Sequence, residues 1–372
     1  MLIKPSQLIL VSVFVIFSNC SQKSEPVFSI SGTIPTLKNT TLYLSKQSEN
    51  SSIKNSVIDS LLVDENGSFS THFFIEPNLF TLVGDGVSIP LAIDKGQHIL
   101  IEGESKDNLT ISGSIDTQLL QQYEAFRIES LNRLVKSVRA EIKIKENQNS
   151  SEEEIAKLRS LEVENYNEHI KELTNFVKTK MGTSIAILAT ASRWKSDVDF
   201  EFLQKLVTNF EQKKPKLEST TYLKSRINQL KKSSIGSVFL DVSISDKDGN
   251  NIVLTPEKAT YTLIDFWASW CPPCRTESGL LINLYKTYGN KGFEIYGISL
   301  DTNKEKWLFA LEKDQRNWPN GSTLEGFETP IAINYGINSL PINYLIDSSG
   351  KIIAVNLHGK KLEEKIDSLF KE

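Results

Sequence analysis

From about Val27 to Ser114, apolar and polar residues alternate in short runs. Phe28-Ser29-Ile30-Ser31-Gly32 has a period of two, and Thr41-Leu42-Tyr43-Leu44 is a short apolar run, both patterns of a half-buried strand. Leu79–Val83, Ile89–Ile93, His98–Glu102 and Leu109–Ser112 continue the series. Asn66-Gly67, set between two such runs, predicts a hairpin. Residues 27–115 are therefore expected to form a small all-β domain, a sandwich or an open barrel. Over residues 116–233 the period becomes helical. Leu119, Leu120, Tyr123, Phe126, Ser130, Leu131, Leu134 and Val138 form one stripe, and Ile155, Leu158, Tyr166, Ile170, Leu173 and Val177 a second. Ser151 followed by Glu154 starts the second helix as a capping box, and Gly182 stops it. This predicts an α-helical hairpin, with shorter helices over Ser184–Trp194, Val198–Glu211 and Leu217–Lys231. The alternating Glu and Lys of the long helices read as a solvated face.

Beyond the polar boundary Lys231–Gly236, residues 235–372 alternate strand and helix. Strands are expected at Val238–Ser245, Ile252–Leu254, Tyr261–Trp267, Phe293–Leu300, Ile342–Ile346 and Ile352–Asn356. Helices are expected at Pro272–Tyr288, Lys304–Lys313, Pro330–Tyr335 and Leu362–Phe370. Apolar strands separated by helices imply an α/β domain with a parallel or mixed sheet covered on both faces.

Lys4 and the apolar run Leu8–Phe17 form a targeting segment too short to span a bilayer as a helix. With Ser18-Asn19-Cys20 and the polar stretch after it, residues 1–19 resemble a bacterial lipoprotein signal peptide. That resemblance implies lipidation at Cys20, a tether over 20–26 and membrane attachment on the periplasmic side of the cell envelope. Plain secretion with a spare thiol, or a chance apolar segment, are the alternatives.

The chain has 42 Lys and Arg against 46 Asp and Glu, a formal net charge of -4, which offers no electrostatic case for nucleic acid. At 372 residues it is long enough for two or three cores. Three cysteines are too few to staple a fold, so cysteine here reads as chemistry.

That chemistry concentrates at Trp270-Cys271-Pro272-Pro273-Cys274, where a predicted strand turns into a predicted helix. Two intervening residues let both sulfurs reach one helical turn, so a disulfide can close and reopen there. The first sulfur meets unpaired backbone N–H groups and the positive end of the helix dipole, which favour thiolate. Pro272 and Pro273 have no N–H to lose and suit a first helical turn. Half of a zinc site is the competing reading. It would need further Cys or His at similar spacing, and Cys20, His72, His98, His169 and His358 are scattered. His72 and His98 are expected to be ordinary strand or surface residues. Nothing in the pattern calls for a metal or a cofactor.

Asp265-Phe266-Trp267-Ala268-Ser269-Trp270-Cys271-Pro272-Pro273-Cys274-Arg275 and Ser339-Leu340-Pro341 before Ile342–Asp347 resemble the TlpA- and ResA-like members of the thioredoxin fold. The resemblance covers about Ile235 to Glu372, and the stretch around Trp318-Pro319 fits the central insertion of such proteins. It implies an envelope thiol-disulfide oxidoreductase acting on protein thiols and disulfides, as a reductant supplied by a membrane electron donor of the thiol-reductant type. It implies Cys271 as attacking and Cys274 as resolving cysteine, and Pro341 as a cis-proline beside the sulfurs. Trp270, Pro272, Leu340 and Pro341 would then contact substrate. The β domain and helical region look like the accessory part of many such lipoproteins. Asp265, an acid in an apolar strand, is a candidate proton relay to Cys274; its bland alternative is a strand-end Asp bonded to backbone. Glu277 matches an acidic position near the dithiol, or is a first-turn Glu on the helix dipole. Gly279 stands where the family has a proline.

A thiol peroxidase shares the fold, but no Pro-x-x-x-Thr/Ser-x-x-Cys precedes the dithiol. A third reading is a surface ligand-binding lipoprotein in which the dithiol is secondary. It predicts that Cys271→Ala with Cys274→Ala leaves the cellular role intact.

Overall fold

The computed structural model describes residues 27–46, 56–240 and 242–371. Cys20, the signal segment and the tether lie outside them. Three regions follow one another: an all-β domain, an α-helical region and a C-terminal α/β domain of thioredoxin-like architecture.

Among the described residues, the first region has eight strands: β1 (Phe28–Thr33), β2 (Thr41–Lys46), β3 (Ser56–Leu62), β4 (Ser68–Phe73), β5 (Asn78–Gly84), β6 (Val87–Ile93), β7 (His98–Ser105) and β8 (Asn108–Ser112). They form two four-stranded sheets, ordered β4-β1-β7-β8 and β3-β2-β5-β6. Their inner faces enclose Phe28, Ile30, Leu42, Leu44, Phe73, Phe80 and Leu82, so the domain is a sandwich rather than an open barrel. Pro90 lies in β6, an edge strand, the place in a sheet where proline is tolerated. His72 and His98 are exposed strand residues.

The hairpin expected at Asn66-Gly67 is corrected. The turn is there: Gly67 has φ +81°, its N–H reaches Asp64 O, and Asp64 Oδ1 accepts from the Asn66 and Ser68 N–H groups. Yet β3 and β4 belong to different sheets, so the turn is a corner between layers. Turn geometry is a local property, whereas strand pairing is decided by distant partners.

The helical region contains α1 (Ile115–Leu131), α2 (Ser137–Asn147), α3 (Glu152–Phe176), α4 (Phe200–Lys213) and α5 (Glu218–Lys232). A π-helical turn, Asn132–Lys136, joins α1 to α2, and this continuous rod runs beside α3 as the predicted hairpin. Ser114 Oγ caps α1 by accepting from Thr117 N, and Ser151 Oγ caps α3 by accepting from Glu154 N. The helix expected over Ser184–Trp194 is instead two short 3-10 turns, Ile185–Ala189 and Ala191–Arg193. Ile185–Leu188 are buried in succession, which leaves no solvent face for an amphipathic α-helix. Asp116 Oδ1 also holds the Ile185 N–H.

The last region comprises β9 (Ser243–Ser245), β10 (Asn251–Val253), β11 (Tyr261–Trp267), α6 (Pro272–Tyr288), β12 (Phe293–Ser299), α7 (Lys304–Lys313), β13 (Asn320–Ser322), α8 (Pro330–Tyr335), β14 (Ile342–Asp347), β15 (Ile352–Val355) and α9 (Gly359–Phe370). The main sheet is ordered β13-β12-β11-β14-β15, parallel from β13 to β11 and antiparallel from β11 to β15. Its central strand β11 is the one that delivers the dithiol. Helices α6 and α9 pack on one face around Leu263, Leu281, Phe293 and Leu345, while α8 with Phe239, Val242, Ile244 and Leu254 covers the other. Strand β13 was not predicted, since Asn-Gly-Ser has no apolar pattern to signal it.

Polar contacts fasten the helical region to this domain near the loop before β14. Buried Arg226 of α5 donates to Ala191 O, Trp194 O and Gly336 O. Asn338 Nδ2 donates to Ser192 O, and Lys195 Nζ donates to Asn338 Oδ1 and Ser339 Oγ. No helix among the described residues is long and apolar enough to cross a membrane.

Candidate functional site

Strand β11 ends at Trp267, the chain turns through Ala268-Ser269-Trp270, and Cys271 becomes the N-cap of α6 with Pro272 at the first helical position. Asp301 holds this turn, accepting from Ser269 N at 2.9 Å and from the Ser269 and Ser299 hydroxyls. Cys271 and Cys274 are joined as a disulfide, S–S 2.03 Å. Cys271 Sγ also accepts from Cys274 N at 3.3 Å, so the helix terminus offers that sulfur a donor. When the bond is reduced, the same donor and the helix dipole favour negative charge on Cys271.

The Leu340-Pro341 bond is cis, as the resemblance implied. Cys271, Trp270, Pro272, Leu340 and Pro341 line one cleft of about 610 Å³. Trp270 is half exposed at its edge, whereas Cys271 is only 4% and Cys274 2% exposed. Among the described residues, no protein group pairs with the Leu340 backbone N–H or C=O. The opposite wall comes from α2 and α3, with Arg139, Ile142, Val163 and Tyr166. The helical hairpin thus stands over the dithiol, a placement the sequence did not disclose.

Asp265 and Glu277 lie behind the disulfide and do not line this cleft. Asp265 is buried in β11, and its Oδ2 accepts from Arg316 Nη1 at 2.7 Å. Arg316, with a fully buried side chain, also donates to Ser278 Oγ and Cys274 O and lies over the Trp267 ring at 4.0 Å. Burial raises the Asp265 carboxyl above the ordinary carboxylate range, against the pull of Arg316. Arg316 therefore stands between the expected relay carboxyl and the backbone of Cys274. Nothing in the loop after α7 marks Arg316 beforehand, because its partners come from β11 and α6.

Glu277 Oε2 meets His358 Nδ1 at 2.9 Å, and Oε1 accepts from Gly359 N at 2.9 Å. Gly359 is the first residue of α9, so Glu277 caps that helix from another element. This is why α9 starts at Gly359 rather than at Leu362. Burial pushes the Glu277 carboxyl up, but His358 and the Gly359 N–H outweigh it and hold the group low. His358 is pushed down by burial and pulled up further by Glu277, ending above its ordinary value. His358 Nε2 bonds Asn356 Oδ1 at 2.9 Å, and Asn356 Nδ2 reaches Asn167 Oδ1 of α3 at 3.0 Å. A polar chain, buried at its His358 end and half-buried at Asn356 and Asn167, therefore links the helix carrying the dithiol to the hairpin. Gly279 sits in an unbroken α6. Among the described residues, no group of three or more His, Cys, Asp or Glu side chains is placed to hold a metal ion.

A central parallel strand leading into a helix capped by a Cys-x-x-Cys disulfide, with a cis-proline opposite, is an arrangement suited to thiol-disulfide exchange. Comparison with known proteins agrees. Residues 235–355 match the model of the AhpC/TSA family, and residues 28–120 match a domain of unknown function, DUF4369. "Thiol-disulfide oxidoreductase ResA" of Bacillus thuringiensis (strain Al Hakam) is 29% identical over 149 residues, spanning 38% of this chain and 79% of the relative. The protein of that name from Bacillus subtilis (strain 168) is 26% identical over 122 residues, spanning 33% and 66%. Among solved structures, the thioredoxin domain of a thiol-disulfide oxidoreductase from Bacteroides vulgatus is 33% identical, with a TM-score of 0.35. It covers 37% of this chain and 97% of that one. A thiol-disulfide oxidoreductase from Bacteroides fragilis NCTC 9343 is 33% identical, with a TM-score of 0.34 and coverage of 36% and 100%. The C-terminal region is a ResA-like thioredoxin-fold domain with a Cys-x-x-Cys redox centre, preceded by an accessory β domain.

Proposed function

We propose that the protein exchanges disulfides with protein substrates, in the reducing direction, on the non-cytoplasmic side of the membrane. The observation that carries this reading is the Cys271–Cys274 disulfide at the start of α6, facing the cis-Pro341 loop. In the reduced protein the Cys271 thiolate attacks one sulfur of a substrate disulfide. That S–S bond breaks, a Cys271–substrate bond forms, and the other substrate sulfur leaves as a thiolate and takes up a proton. Cys274, as thiolate, then attacks Cys271, re-forming the internal disulfide and releasing the second substrate thiol. Two electrons pass from the dithiol to the substrate, and a membrane-bound thiol reductant restores the dithiol. Lipidation at Cys20 would keep the domain at the membrane surface.

Replacing Cys274 by Ser blocks the second step and should accumulate mixed disulfides on Cys271 in cells. If Cys271→Ser/Cys274→Ser accumulates as much, the proposal is wrong. Metabolic lipid labelling should disappear in Cys20→Ala; label that persists removes the anchor from the proposal. The AhpC/TSA match makes peroxide reduction the second reading. Ile264 and Ala268 stand where a peroxidase motif places Pro and Thr or Ser. Stoichiometric loss of hydrogen peroxide on mixing with the reduced protein, faster than disulfide reduction, would favour it.

A further inference from the structure

Because Cys271 is almost wholly covered, a partner sulfur must enter through the cleft between the dithiol and helices α2 and α3. Among the described residues, four cationic side chains line that cleft: Arg139, Lys143, Arg159 and Lys195. Two are already neutralised within it. Arg139 Nε meets Glu162 Oε1 at 2.5 Å, and Arg159 Nη2 meets Glu146 Oε1 at 2.5 Å. Lys143 and Lys195 have no carboxylate partner among the described residues. Among the described residues, Lys195 donates to the neutral Asn338 Oδ1 and Ser339 Oγ, two partners for three ammonium donors. Asp197, two residues along the chain, accepts from Asn356. Burial and Arg226 pull the Lys195 ammonium down to about 8, outweighing the opposing charge of Asp197.

Lys195 is bonded to Ser339, one residue from Leu340, whose backbone lacks a partner, and two from cis-Pro341. A chain extended along Leu340 therefore passes beside a cation, between apolar walls that include Tyr166, Val163 and Trp270. We propose that the substrate segment is an extended acidic polypeptide, with Asp or Glu within a few residues of the disulfide cysteine, its carboxylate docking on Lys195 and Lys143. The inference rests on the disulfide-exchange reading and makes the helical region part of substrate binding, since α2 contributes Lys143 and the turn before α4 contributes Lys195. Opposite charge at this site speeds encounter and fixes the register of the segment.

The test uses the full chain, reduced with dithiothreitol and freed of it. It is mixed in single turnover with mixed disulfides of one nitrothiobenzoate thiol and cysteine peptides of equal length that are acidic, neutral or basic. Hydroxyethyl disulfide and oxidised glutathione are the small comparison substrates. The acidic peptide should react about tenfold faster than the neutral one at low salt, the basic one more slowly, and the preference should shrink with added salt. Lys195→Gln and Lys143→Gln should each lower the acidic-to-neutral ratio, with Lys195→Arg retaining it. Lys143 is exposed, so its variant reads the effect without risk to the fold. Equal rates for all three peptides, with hydroxyethyl disulfide still reduced, overturn the acidic-segment proposal and leave the exchange reading standing. Oxidised glutathione reacting as fast as the acidic peptide also overturns it, in favour of a small anionic disulfide. No reduction of any disulfide overturns both.

Discussion

The buried pair under the dithiol offers the sharpest test of how this domain is held together. Arg316→Met keeps part of the apolar stem and removes the guanidinium. Asp265 then loses its 2.7 Å partner inside β11, and Ser278 Oγ and Cys274 O lose a donor. With the two side chains 0% and 4% exposed, solvent does little to screen the loss. Removing one member of such a pair costs about 3–5 kcal/mol, because the remaining carboxyl must either stay charged in the interior or hold a proton that the unfolded chain gives up. At roughly 3 °C per kcal/mol for a domain of this size, the Tm should fall by about 9–15 °C. The penalty should grow with pH. Burial already raises the Asp265 carboxyl, and without Arg316 it rises further. The folded variant then holds a proton that the unfolded chain has released above the ordinary Asp value of 3.8, so stability falls as pH climbs through that window. Asp265→Asn combined with Arg316→Met should recover at least ~1–2 kcal/mol of the loss, since it removes the carboxyl whose charging or protonation costs the fold. Urea unfolding followed by tryptophan fluorescence suits the measurement, because Trp267 and Trp318 both lie against Arg316. A loss below about 1 kcal/mol at pH 7, or a double variant no more stable than Arg316→Met, would refute the reasoning.

Stability should also report the Glu277–His358 pair. Glu277 is held below its ordinary 4.5, so its contribution is complete above that pH and fades as pH falls through the lowered value. His358 is held above its ordinary 6.5, so its contribution is complete below that pH and fades as pH rises through the raised value. The gap between wild type and His358→Gln should therefore be widest between pH 4.5 and 6.5, and a gap that does not vary with pH would contradict the ion pair. Two glycines should respond oppositely to alanine. Gly336 has φ +60°, and an added Cβ would meet Arg226 Nη1 at 1.9 Å, so Gly336→Ala should lose roughly 1–3 kcal/mol in thermal unfolding. Gly279 lies exposed in α6 with nothing near its missing Cβ, so Gly279→Ala should gain about 0.5–1 kcal/mol, and a loss there would mean the helix needs that glycine.

What could be read along the chain was whatever depends on neighbours. The pattern along the chain marked β11, α7 and α8 to the residue, and the Cys-Pro-Pro-Cys run announced a helix start with its sulfur at the cap. Those signals are local because backbone conformation and amphipathic spacing are set within a turn or two. Strand β13 escaped since three polar or tiny residues carry no period, and its pairing comes from Gly297–Ser299 of β12. The Asn66-Gly67 turn was legible as a turn, but which sheet each flanking strand joins was not. Within the site, sequence spacing singled out Cys271 and Cys274, and the family resemblance added Pro341 and two acids of unknown company. The tertiary structure supplied that company: Arg316, 51 positions from Asp265, and His358, 81 positions from Glu277. It also laid α2 and α3 across the dithiol and brought Lys195 to the cis-proline loop, 144 positions from Ser339. Ion pairs and domain contacts across such separations leave no periodic trace, because they are selected by where the finished fold leaves a buried charge in need of a partner.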